Sequence, residues 1–204
     1  MTTGTRGASV RVAEPADIDA IVATLTTAFF DDPLWGPAFP DPGRRAEQAA
    51  VMWRMSATSA LRYPWTLVTA KVEAAAILIP PGGTELTHEE EKELAAQLVR
   101  TAGQRTAEGV LEIYAQLEAA HPSEPHFYLT LLGTHSDHRG QGLGMGLLRE
   151  ALARIDDLGE PAYLESSNPA NNARYESVGF RPHSRITAAS GHVVTTMWRP
   201  AARP

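Results

Sequence analysis

The segment His138-Arg139-Gly140-Gln141-Gly142-Leu143-Gly144-Met145-Gly146 follows an almost continuous apolar run, Phe127 to Leu132. It precedes a periodic stripe of Leu143, Leu147, Leu148, Ala151, Leu152, Ile155 and Leu158. The run reads as a strand buried on both faces and the stripe as one face of an amphipathic helix, so the glycines occupy a strand-to-helix turn. A helix start presents backbone N–H groups without internal partners and the positive end of the helix dipole. With no side chains at Gly140, Gly142 and Gly144, phosphate oxygens come within reach of those amides. The chemistry is that of a pyrophosphate cradle, with Arg139 placed to add a charge-assisted contact to the same anion.

Two common phosphate-binding turns are excluded. A dinucleotide fold needs G-x-G-x-x-G, but counting from Gly140 the last position is Met145, and counting from Gly142 it is Leu147. The acidic ribose ligand of such folds is also misplaced, because Glu160 follows Gly159 ahead of the next strand rather than ending it. The triphosphate loop requires a lysine after its glycines, and the chain's two lysines, Lys71 and Lys92, follow no glycine pair.

The 204 residues, 43% hydrophobic and 21% charged, suit one compact domain over 1–204 with a substantial core. A net charge of -6, from 24 acidic and 18 basic residues, gives no electrostatic support to a nucleic-acid partner and mildly favours a cationic small substrate. The absence of cysteine excludes thiolate metal sites and an acyl-cysteine intermediate. His135 and His138 are three apart but have no third ligand nearby, so no metal is expected. The longest apolar runs, such as Ala74 to Pro81, fall short of the ~20 residues of a membrane span. Met1 to Ser9 lacks the apolar core of a secretory signal, so the expectation is a cytoplasmic protein without membrane partners.

The elements that must hold the glycine turn follow from the rest of the chain. Val10 to Ala13 reads as a short strand, and Glu14-Pro15-Ala16-Asp17 opens a helix with proline in its first turn. Ile18, Ile21, Val22, Leu25 and Phe29 recur at helical spacing. Asp31-Asp32-Pro33 ends that helix near Phe30, since a residue before proline resists helical geometry. A Pro/Gly-rich loop through Trp35, Pro37, Pro40 and Pro42-Gly43 follows, then a helix over Arg44 to Leu61. Thr66 to Lys71 and Ala74 to Ile79 read as strands joined at Val72-Glu73, and Pro80-Pro81-Gly82-Gly83 stops them.

Thr87-His88-Glu89-Glu90 is a capping box. It starts a helix with Leu94, Leu98 and Val99 inside, and a further helix carries Val110, Ile113, Tyr114 and Leu117. From Thr84 to Ala120 eight acidic residues outnumber three basic ones, the pattern of a solvated helix face or of a vestibule for a cationic substrate. Beyond the glycine turn and its helix, Ala162 to Glu165 reads as a strand and Ala170 to Ser177 as a short helix. Phe180 to Ala188 and Val193 to Trp198 are two strands joined by a hairpin turn at Ser190-Gly191.

Arg139-Gly140-Gln141-Gly142-Leu143-Gly144 fits R-x-x-G-x-G, and Asn168, Tyr175, Glu176, Gly179 and Phe180 fit N-x-x-x-x-x-x-Y-E-x-x-G-F. In this order and about 30 residues apart, the two motifs resemble those of the GNAT acetyltransferases over most of the chain. Glu124-Pro125, Asp137-His138, Leu164-Glu165-x-Ser167 and Ala28-Phe29 with the following aspartate and proline are most similar to the puromycin N-acetyltransferase group. Ser136 stands where the family often has proline.

The resemblance implies an α/β, single-domain GNAT fold. Its mixed, mostly antiparallel sheet has six to seven strands flanked by helices, with strands four and five splayed. It further implies acetyl-CoA as co-substrate and no metal. The diphosphate would lie on Arg139, Gly140, Gln141, Gly142, Leu143 and Gly144, and the pantetheine arm along the backbone of Leu132, Gly133 and Thr134. Gly133 within the strand suits a bulge that helps open the wedge. Tyr175 is expected as the general acid, a phenol able to protonate a thiolate. Asn168 and Asn171 would bind the arm or diphosphate, against ordinary capping at Asn168-Pro169.

Glu165 is the first choice of base, with a water chain as the alternative. Asp31 and Asp32, with Trp35 in the same loop, would meet a cationic amine. The expected activity is N-acetylation of a small-molecule amine, antibiotic-like compounds included. Peptide or protein acetylation and a non-catalytic acyl-CoA sensor are the rivals, and the family's frequent dimers suggest a homodimer.

Overall fold

The computed structural model describes residues 9–202, so of the stretch Met1 to Ser9 without a leader's apolar core all but Ser9 lies outside them. Seven strands form one sheet in the order β1-β2-β3-β4-β5-β7-β6. They are β1 (Val10–Val12), β2 (Thr66–Thr69), β3 (Ala74–Ile79), β4 (Phe127–Thr134), β5 (Ala162–Ser166), β6 (Arg181–Thr187) and β7 (Val193–Arg199). All neighbours are antiparallel except β4 and β5. The helices are α1 (Ile18–Phe29), α2 (Trp35–Ala38), α3 (Arg45–Ala60), α4 (His88–Ala102), α5 (Gln104–Ala119), α6 (Leu143–Leu158) and α7 (Asn172–Glu176).

The alternation of side chains along β3 divides the core into two layers. Ala75, Ile77 and Ile79 join Leu25, Trp53, Leu94 and Val110 on the face covered by α1, α3, α4 and α5. Ala74, Ala76 and Leu78 join Leu147, Leu148, Leu152 and Ile155 of α6 on the other. Every β3 residue is buried, which is how an alanine-rich segment becomes a strand: coverage on both faces outweighs its modest β-propensity.

Four local expectations are corrected. The loop after Phe30 contains α2, whose first-turn amides at Leu34 and Trp35 donate to Asp32 Oδ1 at 2.9 and 3.2 Å. Val99 and Leu158 lie at the edges of their helical stripes and are 39% and 57% exposed, not interior. The β-bulge in β4 is not at Gly133. The register steps from Ile77↔Leu131 to Leu78↔Leu129, leaving Thr130 as the extra residue.

Gly133 serves close packing instead, because a Cβ there would stand 2.9 Å from Leu25 Cδ2 and 3.0 Å from Ala28 Cβ of α1. Gly133→Ala is therefore expected to lower stability by ~1–3 kcal/mol through overpacking, measured by denaturant unfolding. An unchanged midpoint would contradict this contact.

Candidate functional site

β4 and β5 share a ladder only over Phe127↔Ala162, Tyr128↔Tyr163 and Leu129↔Leu164. The bulge at Thr130 turns β4 away directly after that last pair, while Glu165 and Ser166 of β5 stay paired with Thr196 and Thr195 of β7. The two strands part, and the edge of β4 from Thr130 to Thr134 faces a cavity of about 600 Å³. Strand edges bearing unpaired amides and carbonyls are normally covered or blunted. This one is kept open along an interior cleft.

At the mouth of the cleft stands the start of α6. Gly142 has φ +75° and no side chain caps the helix, so its first-turn amides, which have no internal partners, meet the cavity at Leu143, Gly144 and Met145. Gly140, at φ +78°, also needs the left-handed region that favours glycine. Gly144 acts through packing: a Cβ on it would lie 2.8 Å from Thr134 Oγ1, so its bareness seats α6 against β4. Arg139 also departs from the simple cradle. Its Nη2 donates to the carbonyls of Thr27 and Ala28 at 3.0 Å each, engaging the open C-terminal end of α1 where the sequence had suggested the anion.

The cavity is lined by every site residue expected from the sequence except Gln141, whose side chain is exposed. Their local roles differ. Asp32 is buried, and besides capping α2 its Oδ2 accepts from Ser167 Oγ at 2.7 Å, tying the α1–α2 connection to the end of β5. Asp31 is exposed, 3.9 Å from Arg45. Trp35 is 7% exposed and meets Trp53 edge-on at 5.7 Å and Tyr114 at 5.6 Å, a core anchor with one face toward the cavity. Asn168 Oδ1 accepts from Ala170 N at 3.0 Å as a turn cap, and Asn171 Oδ1 accepts from Arg174 at 2.9 Å.

Tyr175, on α7, packs edge-on against Phe180 with centroids 6.2 Å apart. Burial, with a smaller contribution from the Asp32 charge, pushes its hydroxyl up to about 12.

A second group lies where β4 and β5 part. Glu165 has a side chain only 5% exposed, with Oε1 3.2 Å from His121 Nε2. That contact is attractive by distance, yet Oε1 has no properly directed hydrogen bond. Burial opposes the His121 imidazolium, but Glu165 beside it and the charges of Glu118 and Glu85 outweigh burial, so the ring holds its proton to a higher pH than usual.

Glu85 is the residue the sequence reading missed. Its Oε1 accepts from Thr130 Oγ1, the bulge residue, at 2.7 Å. Burial, helped by repulsion from Glu165 against that hydrogen bond, raises its carboxyl to about 7. The only sequence signal was its place at the head of an acidic stretch.

A second cavity of about 730 Å³ lies under α4 and α5 and shares Glu85, Tyr114, Leu117 and Tyr128 with the first. Among the described residues no cluster of three His, Asp or Glu side chains is arranged to hold a metal ion. No helix among them is long and apolar enough to cross a membrane.

The acetyltransferase (GNAT) domain family matches residues 84–199, more than half of the chain and the stretch that holds the parted strands β4 and β5 and the start of α6. The chain belongs to this family. A histone acetyltransferase HPA2 and related acetyltransferase from Corynebacterium glutamicum is 25% identical over 97% of this chain and 98% of its own, at a TM-score of 0.73. Arylalkylamine N-acetyltransferase 2 from Aedes aegypti shares the fold at 14% identity, over 94% of this chain and 98% of its own, TM-score 0.62. The NatC complex bound to Gag peptide and CoA contains a chain with the same fold at 11% identity, covering 96% and 99%, TM-score 0.56.

Proposed function

We propose that the protein is an acetyl-CoA-dependent N-acetyltransferase that acts on a small-molecule amine by direct transfer in a ternary complex. The observation that carries this reading is the unpaired edge of β4 ending at the glycine-shaped start of α6. The residues fit the cofactor. Leu132, Gly133 and Thr134 offer main-chain groups along the cleft, the first-turn amides of α6 offer an anion cradle, and a Cβ at Gly140 or Gly142 would meet nothing of the protein within 4 Å. When bound, acetyl-CoA supplies a thioester carbonyl open to an amine and a thiolate that must leave with a proton.

The chain's own groups divide the proton work. Tyr175 keeps its hydroxyl proton throughout neutral pH and donates it to the leaving thiolate, and the second N–H proton released as the amide forms restores the phenol. Glu85, whose carboxyl titrates near neutrality, takes the proton of the incoming ammonium, since a base works best when matched to the operating pH. Glu165, expected as the base, is the positioning partner in this scheme: backed by His121, it attracts the ammonium and leaves proton removal to Glu85. The absence of cysteine supports direct transfer without an acyl-enzyme. A small acceptor is supported by the α4–α5 walls of the second cavity. The residues quoted for the puromycin N-acetyltransferase group support that narrower kinship.

The test is acetyl-CoA titration by calorimetry, joined to thiol release with an amine panel. Gly142→Leu is expected to weaken acetyl-CoA binding by ~10-fold or more, since the new side chain fills the cradle, with circular dichroism checking the fold against the cost of a left-handed leucine. Undiminished binding would remove the diphosphate from α6.

A further inference from the structure

β3 and β4 are antiparallel neighbours, and such a pair needs only a short turn to join it. The chain instead places α4 and α5 between them. The pair is anchored: Leu94, Leu98, Ala107 and Val110 are buried in the core. Its first helix begins in a full capping box at Thr87, with Glu90 further bonded to Arg62 in the turn after α3. What the helix pair adds is the second cavity.

The walls of that cavity are apolar at Leu86, Leu94, Leu111 and Leu117 and acidic at Glu85, Glu91, Glu118 and Glu124, and no lysine or arginine lines it. Glu91 belongs to α4 and Glu118 to α5, so both helices bring a carboxylate to the lining, while Glu85 is the acidic residue that the cavity shares with the cofactor cleft. At that shared neck a separate observation points to room for a further donor, because the cation already there, His121 Nε2 at 3.2 Å from Glu165 Oε1, is not aimed at it along a hydrogen bond. Glu165 Oε1, on a side chain 5% exposed, is buried without a directed hydrogen bond. Its neighbour His121 lines the second cavity. A carboxylate held this way is costly unless a donor meets it.

Building on the function proposed above, we infer that the α4–α5 cavity is the acceptor chamber and that its substrate is an amine on an apolar body with a second positive charge at its far end. The reacting ammonium sits at the neck between Glu85 and Glu165. The apolar body lies along Leu86, Leu94, Leu111 and Leu117. The distal cation is met by Glu118 and Glu91.

Matched probes test this: 1,7-diaminoheptane against heptylamine, and 1,5-diaminopentane against pentylamine. Each is titrated into the protein alone by calorimetry and then assayed for thiol release with acetyl-CoA. The diamine of a pair is expected to bind at least ~10-fold more tightly, with its advantage in kcat/KM residing in KM. In the surface variant Glu91→Gln/Glu118→Gln the diamine-to-monoamine ratio should fall to within about 2-fold. Equal affinity for the two members of both pairs, binding of neither, or a ratio that survives the double substitution overturns the chamber. Failure of acetyl-CoA itself to bind would strike the reaction assignment instead, leaving the amine titrations to decide the chamber.

Discussion

Tyr175→Phe is expected to lower kcat by ~10²-fold or more while leaving acetyl-CoA affinity and thermal stability near those of the native protein. The phenyl ring keeps its edge-on packing against Phe180, and only the hydroxyl is lost. That hydroxyl is raised to about 12 by burial and the Asp32 charge, so it is a proton donor at every pH at which the protein would be assayed. It should contribute no alkaline limb to the rate profile below about pH 10. The sign for stability is the same: the folded value lies above the unfolded value near 10. The contribution is therefore complete below pH 10 and is lost as the pH rises through about 12. An unchanged turnover in the phenylalanine variant would take the acid role from this residue.

Glu85→Gln is expected to have a comparable effect, ~10²–10³-fold in kcat, and to change the shape of the pH profile. In the native protein the carboxyl is raised to about 7, by burial first and by repulsion from Glu165. The rate should therefore fall toward acid with a midpoint near pH 7 as the base takes up its proton. The glutamine variant lacks that limb. The His121 imidazolium, whose proton Glu165 holds against the effect of burial, is a second titrating group at this place, and substitution at Glu85 alone separates the two.

Stability moves as a further check. A carboxyl with a raised folded pKa stabilises the fold fully below its unfolded value near 4.5, and loses that contribution as the pH rises through about 7. The glutamine variant should therefore gain in Tm relative to the native protein between pH 5 and pH 8, by a few degrees. A native profile without the limb, or a variant that retains it, would return proton removal to Glu165 or to water.

How much of this was legible depended on how far apart the interacting groups lie in the chain. The strand before the glycine turn, the turn and α6 are adjacent, and periodicity with glycine placement locates them to within a residue or two. The capping box at Thr87 was equally visible, because Thr87 and Glu90 satisfy each other's backbone within one helical turn. α2 was not, since a four-residue helix has no period to read and begins on a carboxylate held from the other side by Ser167. Arg139 shows the limit of motif reading. Its position beside the turn was apparent, but its guanidinium is claimed by the end of α1, and no local pattern records that approach.

Glu85 marks the boundary most clearly. In the chain it is one acidic residue among several before α4. It becomes a candidate base because the bulge in β4 sets Thr130 against it, β5 brings the charge of Glu165 near it, and the surrounding fold takes it out of water. The amino-acid sequence alone determined the glycine turn ahead of α6, the order of the strands and of every helix but α2, and the acetyltransferase family, since each depends on motifs whose residues act within a few positions of one another. Only the tertiary structure decided where the strands part, which carboxylate burial raises toward neutrality and which residues line the second cavity. Burial, repulsion between distant charges and cavity shape arise only once remote segments share the same space.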